Sequence, residues 1–371
     1  MKLSIDRAAL LRSLSHVQSV VERRNTIPIL SNVLLKAEDN VLTLSSTDMD
    51  LEINESVAAN VMTAGATTAP AHTLHDIVRK MPDGSDVEIA LNAEGTQMTV
   101  SAGRSQFKLS CLPVADFPEI STGELPIAFS VPAGDLRALI DRTKFAMSTE
   151  ETRYYLNGIY VHEADNEGVK VLRAVSTDGH RLARFEMPLP EGASGMPGVI
   201  VPRKAVGELR KLIEDAADVI QITLSENKVR FSFDHVVMTS KLIDGTFPDY
   251  QRVIPQGNDK VVEVDPKVFT KAIDRVSTIS DGKSRALKIA LAGKQMTLSA
   301  SSPEAGSATE EMEVNGDSDI EIGFNAKYLL DITSQIEGEG CRLTLADSAS
   351  PTIIQDNSDP SALYVLMPLR V

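Results

Sequence analysis

Apolar and polar residues alternate over Ile127–Pro132 (IAFSVP), which predicts a short strand, and the spacing changes abruptly after it. From Ala133 to Met147 the residues Leu136, Leu139, Ile140, Thr143 and Met147 recur at helical spacing and form one stripe. Arg137, Asp141 and Lys144 gather on the other side. The pattern is a strand, a turn at Pro132 and a helix of about four turns. It occurs again at Lys2–Val21 (KLSIDRAALLRSLSHVQSVV), with Leu10, Leu14, Val17 and Val21 as the stripe. A third occurrence is Val261–Ser280 (VVEVDPKVFTKAIDRVSTIS), striped by Phe269, Ile273 and Val276.

A second series of strand–helix units lies between these, at Thr67–Met81, Val199–Ile213 and Glu321–Ile336, each followed by a strand–turn–strand pattern. The tails also echo one another: Phe107–Ile120 (FKLSCLPVADFPEI) matches Thr239–Tyr250 (TSKLIDGTFPDY), and the loop STDMDLEI at Ser46 matches STDGHRLA at Ser176. The chain therefore reads as three copies of one unit, at residues 1–124, 125–256 and 257–371. Each copy is α+β, with antiparallel sheet expected outside and two helices against its inner face.

Composition complicates this picture. The net charge is −15 over 371 residues, which taken alone argues against nucleic acid. The six expected helices (roughly 7–21, 72–81, 133–147, 203–215, 266–280 and 326–337) nevertheless hold about 15 Lys/Arg against 9 Asp/Glu, so an acidic chain keeps its positive charge on one class of element. Arg203, Lys204, Arg210 and Lys211 are the densest cluster. Lys and Arg are good helix formers, so charge alone leaves a solvated-surface reading open. Geometry favours more. Helices pack about 10 Å apart, so a ring of six leaves a hole of roughly 10 Å and a ring of twelve about 28 Å, wide enough for a duplex. One chain cannot encircle DNA, whereas a head-to-tail dimer can.

These features resemble the bacterial sliding clamps, the beta subunits of DNA polymerase III. The resemblance runs the length of the chain, through RNTIPILSNVLL (Arg24–Leu35), RYYLNGIY (Arg153–Tyr160), STDGHRLA (Ser176–Ala183), VIVPRK (Val199–Lys204), SKLIDGTFPDYQRVIP (Ser240–Pro255) and YVLMPLRV (Tyr364–Val371). It implies a ring-shaped homodimer of three-domain subunits that holds polymerase on DNA by topology. It also implies a partner-peptide groove at Leu156, Thr177, Gly179, His180, Arg181, Leu182, Pro248, Arg252, Val253, Val365, Leu366, Met367, Pro368, Leu369 and Arg370. DNA contacts are implied at Arg24, Tyr154, Tyr155, Arg203, Lys204 and Arg210, and a dimer contact at Phe107, Leu109 and Ile279. The implied partners are duplex DNA without sequence preference, the polymerase III catalytic subunit, the clamp loader, and other polymerases and repair proteins with short clamp-binding peptides. Glu150, Gln251, Pro351 and His72 depart from the family pattern at DNA or groove positions.

The residues themselves sharpen some roles and leave others open. Leu182, Val253, Leu366 and Met367 are expected to form one apolar pocket with His180, Arg181 and Arg370 at its rim. Tyr364 and Val365 fit either a buried strand or the groove. Of Tyr154 and Tyr155, one is expected to pack and the other to touch DNA. Asp178-Gly179-His180-Arg181 offers an acid, an imidazole and a cation, but Asp-Gly is turn chemistry, and the matching loop STDMDLEI has neither His nor Arg. A hydrolase built on Asp48, Asp178 and His180 is therefore disfavoured, and an acidic scaffold that never touches DNA leaves the basic helices without a purpose. With six His and no HxxxH, CxxC, GxxxxGK[ST] or GxGxxG spacing, neither a metal nor a nucleotide cofactor is expected. Two cysteines, Cys111 and Cys341, no apolar leader and no run of 18 apolar residues point to the cytoplasm, with no membrane span.

Overall fold

The computed structural model describes residues 1–120, 123–214, 219–280 and 285–370. These form two compact units: Met1–Arg137 with Pro190–Pro197 and Lys204–Leu242, and Ala138–Leu189 with Gly198–Arg203 and everything from Ile243 onward. The middle third of the chain is thus divided between them.

Sheet topology explains the division. In the first unit an eight-stranded sheet runs in the order Ile127–Pro132, Val219–Leu224, Lys228–Phe233, Val236–Lys241, Leu51–Ala58, Val41–Thr47, Asn32–Glu38 and Gly65–Pro70. Strands from the first and middle thirds of the chain meet at Val236–Lys241, which pairs antiparallel with Leu51–Ala58. The second unit repeats the arrangement in the order Val199–Pro202, Gly158–Asn166, Val169–Thr177, Arg181–Pro188, Ala362–Leu366, Thr352–Asp356, Cys341–Leu345 and Lys260–Val264, with its seam between Arg181–Pro188 and Ala362–Leu366. The repeats are therefore joined through their main chains.

Each unit also holds a smaller antiparallel sheet, five-stranded in the first and four-stranded in the second. The five-stranded sheet ends in Ser105–Ser110, paired on one side with Gln97–Ala102. The four-stranded sheet ends in Gly306–Glu313, paired on one side with Gln295–Ser302.

Among the described residues there are six α-helices: α1 (Arg7–Gln18), α2 (Ala71–Lys80), α3 (Ala133–Asp141), α4 (Arg203–Leu212), α5 (Pro266–Ser277) and α6 (Ala326–Thr333). They carry 13 Lys/Arg and 6 Asp/Glu, so the charge segregation survives the true boundaries. Within the first unit α1 packs on α2, and within the second α5 packs on α6. The expected stripes are buried: Leu10, Leu14 and Val17 on α1, and Phe269, Ile273 and Val276 on α5. An aspartate caps α1 and another caps α5. Asp6 accepts the Ala9 N–H at 2.9 Å, and Asp265 accepts those of Lys267 at 2.8 Å and Val268 at 3.0 Å, which satisfies amides that the helix itself leaves open.

One expectation fails here. The apolar spacing predicts a helix from Ala133 to Met147, but α3 stops at Asp141 and a single 3₁₀ turn, Lys144–Ala146, follows. Thr143 causes the break. Its Oγ1 donates back to the Leu139 carbonyl at 2.6 Å, and its own carbonyl accepts the buried Ser176 hydroxyl together with the Ala146 N–H at 3.1 Å, the bond of a 3₁₀ turn rather than of a continuing α-helix. No helix among the described residues is long and apolar enough to cross a membrane.

Candidate functional site

The second unit's seam builds an apolar surface by register. Leu182 lies opposite Val365, Thr177 opposite Leu182, and Ile353 opposite Val365. Cross-strand partners share a face, so these four side chains point the same way. On that face Leu156, Val175, Leu182, Ile200, Phe247, Tyr250, Ile254, Leu363 and Val365 form one buried cluster, with Tyr155, Tyr160, Ile243 and Ile353 partly covered beside it. The turn Tyr250–Val253 carries Val253, 49% exposed, and the strand end carries Met367, 40% exposed. Met367 donates its N–H to the His180 carbonyl at 2.9 Å, which ties the C-terminal segment to the Thr177–His180 turn.

The same register corrects two expectations. Arg181 pairs with Leu366, one residue out of phase with Leu182 and Val365, so both point to the opposite face. Leu366 is fully buried there and does not belong with Leu182, Val253 and Met367. Arg181 is no rim cation either. It is 8% exposed, ion-paired with Asp331 at 2.5 Å and Asp178 at 3.1 Å, donates to the Phe145 carbonyl at 2.6 Å, and stacks 4.3 Å over the Tyr328 ring. Tyr364 packs on that face too, its ring 5.7 Å from Phe145, so of the residues left open it belongs to the core while Val365 joins the apolar cluster.

The Asp178–Arg181 turn is built by its own acid. Asp178 Oδ1 accepts the N–H groups of His180 at 2.9 Å and Arg181 at 3.0 Å. Gly179 has φ +88°, a left-handed conformation that favours glycine. His180 is exposed and lies against Tyr328, ring centroids 6.1 Å apart. Pro248 and Arg252 are exposed, and Arg252 is ion-paired with Asp249 at 2.8 Å. Beyond Met367 the chain leaves the cluster: Leu369 donates to the Gly323 carbonyl at 2.8 Å, and Pro368, Leu369 and Arg370 line a cleft of about 710 Å³ with Lys288, Glu321 and Ser348. Pro351 lies at the start of the strand Thr352–Asp356, its carbonyl bonded to Asn258 at 3.0 Å, and Gln251 is exposed.

The expected DNA contacts divide sharply. Arg24 and Arg203 are exposed. Tyr154 is 52% exposed and meets Tyr155 edge to face at 5.7 Å, while Tyr155 packs on the apolar cluster. Arg210 is ion-paired with Glu214. Lys204 is held within the chain: its ammonium reaches Glu22 and Asp48, each at 2.6 Å, and the Val20 carbonyl at 3.1 Å, so it fastens α4 inside the first unit. Burial opposes its charge, but the hydrogen bonds to Asp48 and Glu22 outweigh burial and raise its pKa. Glu150 is neutralised locally, since Arg153 hydrogen-bonds its carboxylate and lowers its pKa. His72 turns inward, with Nε2 2.8 Å from the Val21 carbonyl. At the expected dimer contact Phe107 is exposed and Ile279 half-buried, while Leu109 is already buried within its own chain and offers little new surface.

Sequence reasoning missed Phe247, Tyr250 and Ile254, which supply much of the cluster. The echo of Phe117-Pro118-Glu119-Ile120 in Phe247-Pro248-Asp249-Tyr250 was the available signal, because a repeated aromatic linker has a repeated place to pack.

Repeated antiparallel units sharing sheets across their seams, with a hydrophobic cluster beside one seam, define a clamp architecture. Family models for the DNA polymerase III beta subunit match in chain order: the N-terminal domain at residues 1–121, the central domain at 130–249 and the C-terminal domain at 251–370. The chain is 54% identical over 372 residues to the beta sliding clamp of Caulobacter vibrioides and 38% identical over 373 residues to that of Escherichia coli K12, covering all of each. A solved beta sliding clamp from Caulobacter crescentus aligns with a TM-score of 0.98 at 54% identity, covering 100% of this chain and 99% of that one. A sliding clamp from Bartonella birtlesii, solved bound to griselimycin, aligns at 0.97 with 50% identity and full coverage of both chains. The chain belongs to the beta sliding clamp family, the beta subunits of DNA polymerase III.

Proposed function

We propose that two copies of this chain close head to tail around duplex DNA and tether the replicative polymerase through short peptides held against the Leu182–Val365 face. The family is non-catalytic, and its members act in DNA replication as processivity factors. The observation that carries the peptide reading is the seam register. It turns Thr177, Leu182, Val365 and Ile353 to one side, beside Leu156, Phe247 and the exposed Val253 and Met367. A flexible thioether among apolar walls suits varied peptide anchors. Pro248, Gly179, His180 and Arg252 form the exposed border, and Pro368, Leu369 and Arg370 lead from it into the neighbouring cleft. Occupants would be segments of the polymerase III catalytic subunit, the clamp loader, and other polymerases and repair proteins, all acting in the cytoplasm where the chromosome lies.

Ring closure rests on the two open edges. Ser105–Ser110 carries Lys108 beside Phe107, and Gly306–Glu313 carries Glu311 and Glu313 besides Glu310, which Arg275 already pairs, so the edges are complementary in charge and ready to pair. The domain divisions at 1–124, 125–256 and 257–371 belong to this reading. Exposed Arg24, Tyr154 and Arg203 supply loose, sequence-independent contact with phosphates.

The test is deletion of Met367–Val371, of which Val371 lies outside the described residues. A fluorescent peptide with a Gln and Leu/Phe anchors should bind the intact protein at micromolar strength, about 8 kcal/mol, and the truncated one not at all, with the dimer retained by light scattering. Unchanged affinity after truncation would overturn the groove reading.

A further inference from the structure

Beside the apolar cluster, on the same face of the sheet, lies a largely buried polar chain that the peptide surface does not itself use. Tyr250 opens the turn Tyr250–Val253 and, with Ile254, anchors it in the cluster, while Gln251, Arg252 and Val253 remain exposed. The Tyr250 hydroxyl lies 2.9 Å from Arg173 Nη1 and 3.0 Å from His162 Nε2. Arg173 is buried and donates from Nε to Glu186 at 2.6 Å, and Asn166 donates to the other Glu186 oxygen at 2.9 Å. The His162 tautomer follows from its other nitrogen. Nδ1 lies 2.8 Å from the Glu163 carbonyl, which can only accept, so Nδ1 carries the proton and Nε2 is a bare acceptor. The tyrosine O–H therefore donates to His162 while its oxygen accepts from Arg173.

We propose that Tyr250 is a positioning residue for the peptide surface: its hydroxyl, clasped between His162 and Arg173, fixes the Tyr250–Val253 turn so that Val253 and Arg252 are held in place before a peptide arrives. This rests on the groove reading above. The hydroxyl also makes the clasp sensitive to acid. His162 faces Tyr250 across the turn, Tyr160 along its own strand at 4.6 Å between rings, and Arg173, Arg184 and Glu186 on neighbouring strands, while the Glu163 carbonyl lies at its Nδ1 and the Glu163 carboxylate is ion-paired with Lys170. Burial, the largest influence, lowers its pKa, so the imidazole is neutral near pH 7. Protonation turns Nε2 into a donor, leaves the tyrosine proton without an acceptor and sets a second cation near Arg173. The clasp is thus intact above the ordinary histidine range and is lost as pH falls through the lowered value.

The experiment compares wild type with Tyr250→Phe, which keeps the ring and removes only the hydroxyl. The probe is a fluorescent peptide with Gln and Leu/Phe anchors and no titratable side chain, measured by anisotropy from pH 8 to pH 5. Wild type should hold constant affinity to about pH 6.5 and weaken below it. Tyr250→Phe should bind about five- to tenfold more weakly at pH 7.5, the effect of losing the worth of one ordinary hydrogen bond, and show a flatter pH profile. Hydrogen exchange of the Arg252 and Ile254 amides, which bond to the Asp249 and Gln251 carbonyls, reads the turn without any peptide and should be severalfold faster in the variant. Equal affinity in the two proteins, or an identical pH profile, overturns the clasp. Should wild type bind no peptide, the groove reading falls alone, and unchanged exchange of those two amides then overturns the clasp on its own.

Discussion

Arg203 and Lys204 are neighbours at the start of α4, and their side chains have opposite fates, which makes them a sharp test of how this acidic chain deploys its positive charge. Lys204→Met removes three contacts: Glu22 at 2.6 Å, Asp48 at 2.6 Å and the Val20 carbonyl at 3.1 Å. The Glu22 pair is mostly exposed and is worth under about 1 kcal/mol. Asp48 is largely covered, but its other oxygen still accepts the Asp50 and Leu51 amides, so losing its cation costs about 1–2 kcal/mol. The carbonyl adds about 0.5–1 kcal/mol. The sum is about 2–3 kcal/mol, which lowers a denaturation midpoint by about 5–10 °C in a body of this size. Lys204→Glu adds repulsion from Asp48 of up to about 3–4 kcal/mol at an effective dielectric near 20, enough to loosen the first unit. Arg203→Glu should leave the midpoint unchanged and shorten retention on nicked circular DNA, most visibly as salt is raised. The sign with pH follows from the raised Lys204 pKa: its contribution is complete at neutral pH and disappears as pH climbs past the ordinary value of 10.5. The gap between wild type and Lys204→Met should therefore close in strong alkali. A Lys204→Met protein that melts with wild type yet falls off DNA would refute this assignment and return Lys204 to the DNA-facing set.

Phe107→Asp or Ile279→Asp should shift the protein from twice 40.1 kDa towards 40.1 kDa in light scattering at micromolar concentration, since both side chains are accessible at the expected contact; wild type that stays monomeric would remove the ring. Burial pushes the Cys341 thiol up to about 12, with Asp356 adding to it, whereas Cys111 is only half-buried. Maleimide labelling at pH 8 followed by mass spectrometry should modify Cys111 and spare Cys341, and rapid labelling of Cys341 in the native protein would contradict its burial.

What the sequence revealed, and what it hid, follows the range of the interactions. Strand–cap–helix units were legible because Asp6 and Asp265 act on amides two or three residues away, and because the stripes of α1 and α5 are periodic within a few turns. The end of α3 was not, because one group that takes the Thr143 carbonyl is Ser176, on a strand far along the chain. The apolar face was half legible. Its residues could be named by resemblance, but whether Val365 or Leu366 faces it depends on strand register, and a slip of one exchanges the two faces. The ion pairs of Lys204 were hidden for the same reason, since its partners Glu22 and Asp48 are remote in sequence and nothing near Arg203 distinguishes the two cations. The division into units was hidden altogether, because a repeat in sequence gives no notice that its strands will be shared.

Those shared strands give the protein a mechanical character. At each seam five residue pairs face one another along adjoining strands, Val236–Ser240 against Leu51–Glu55 in one unit and Arg181–Phe185 against Ala362–Leu366 in the other. A load along such strands is resisted by several main-chain bonds at once, as in a lap joint, and no side-chain change short of proline removes a bond from the joint. An edge strand such as Ser105–Ser110, paired on one side only among the described residues, gains such a joint only through a second copy, and separation of the two chains undoes it. Force applied to an assembled clamp should therefore be spent where chains meet, and the seams should drift in sequence without coming apart.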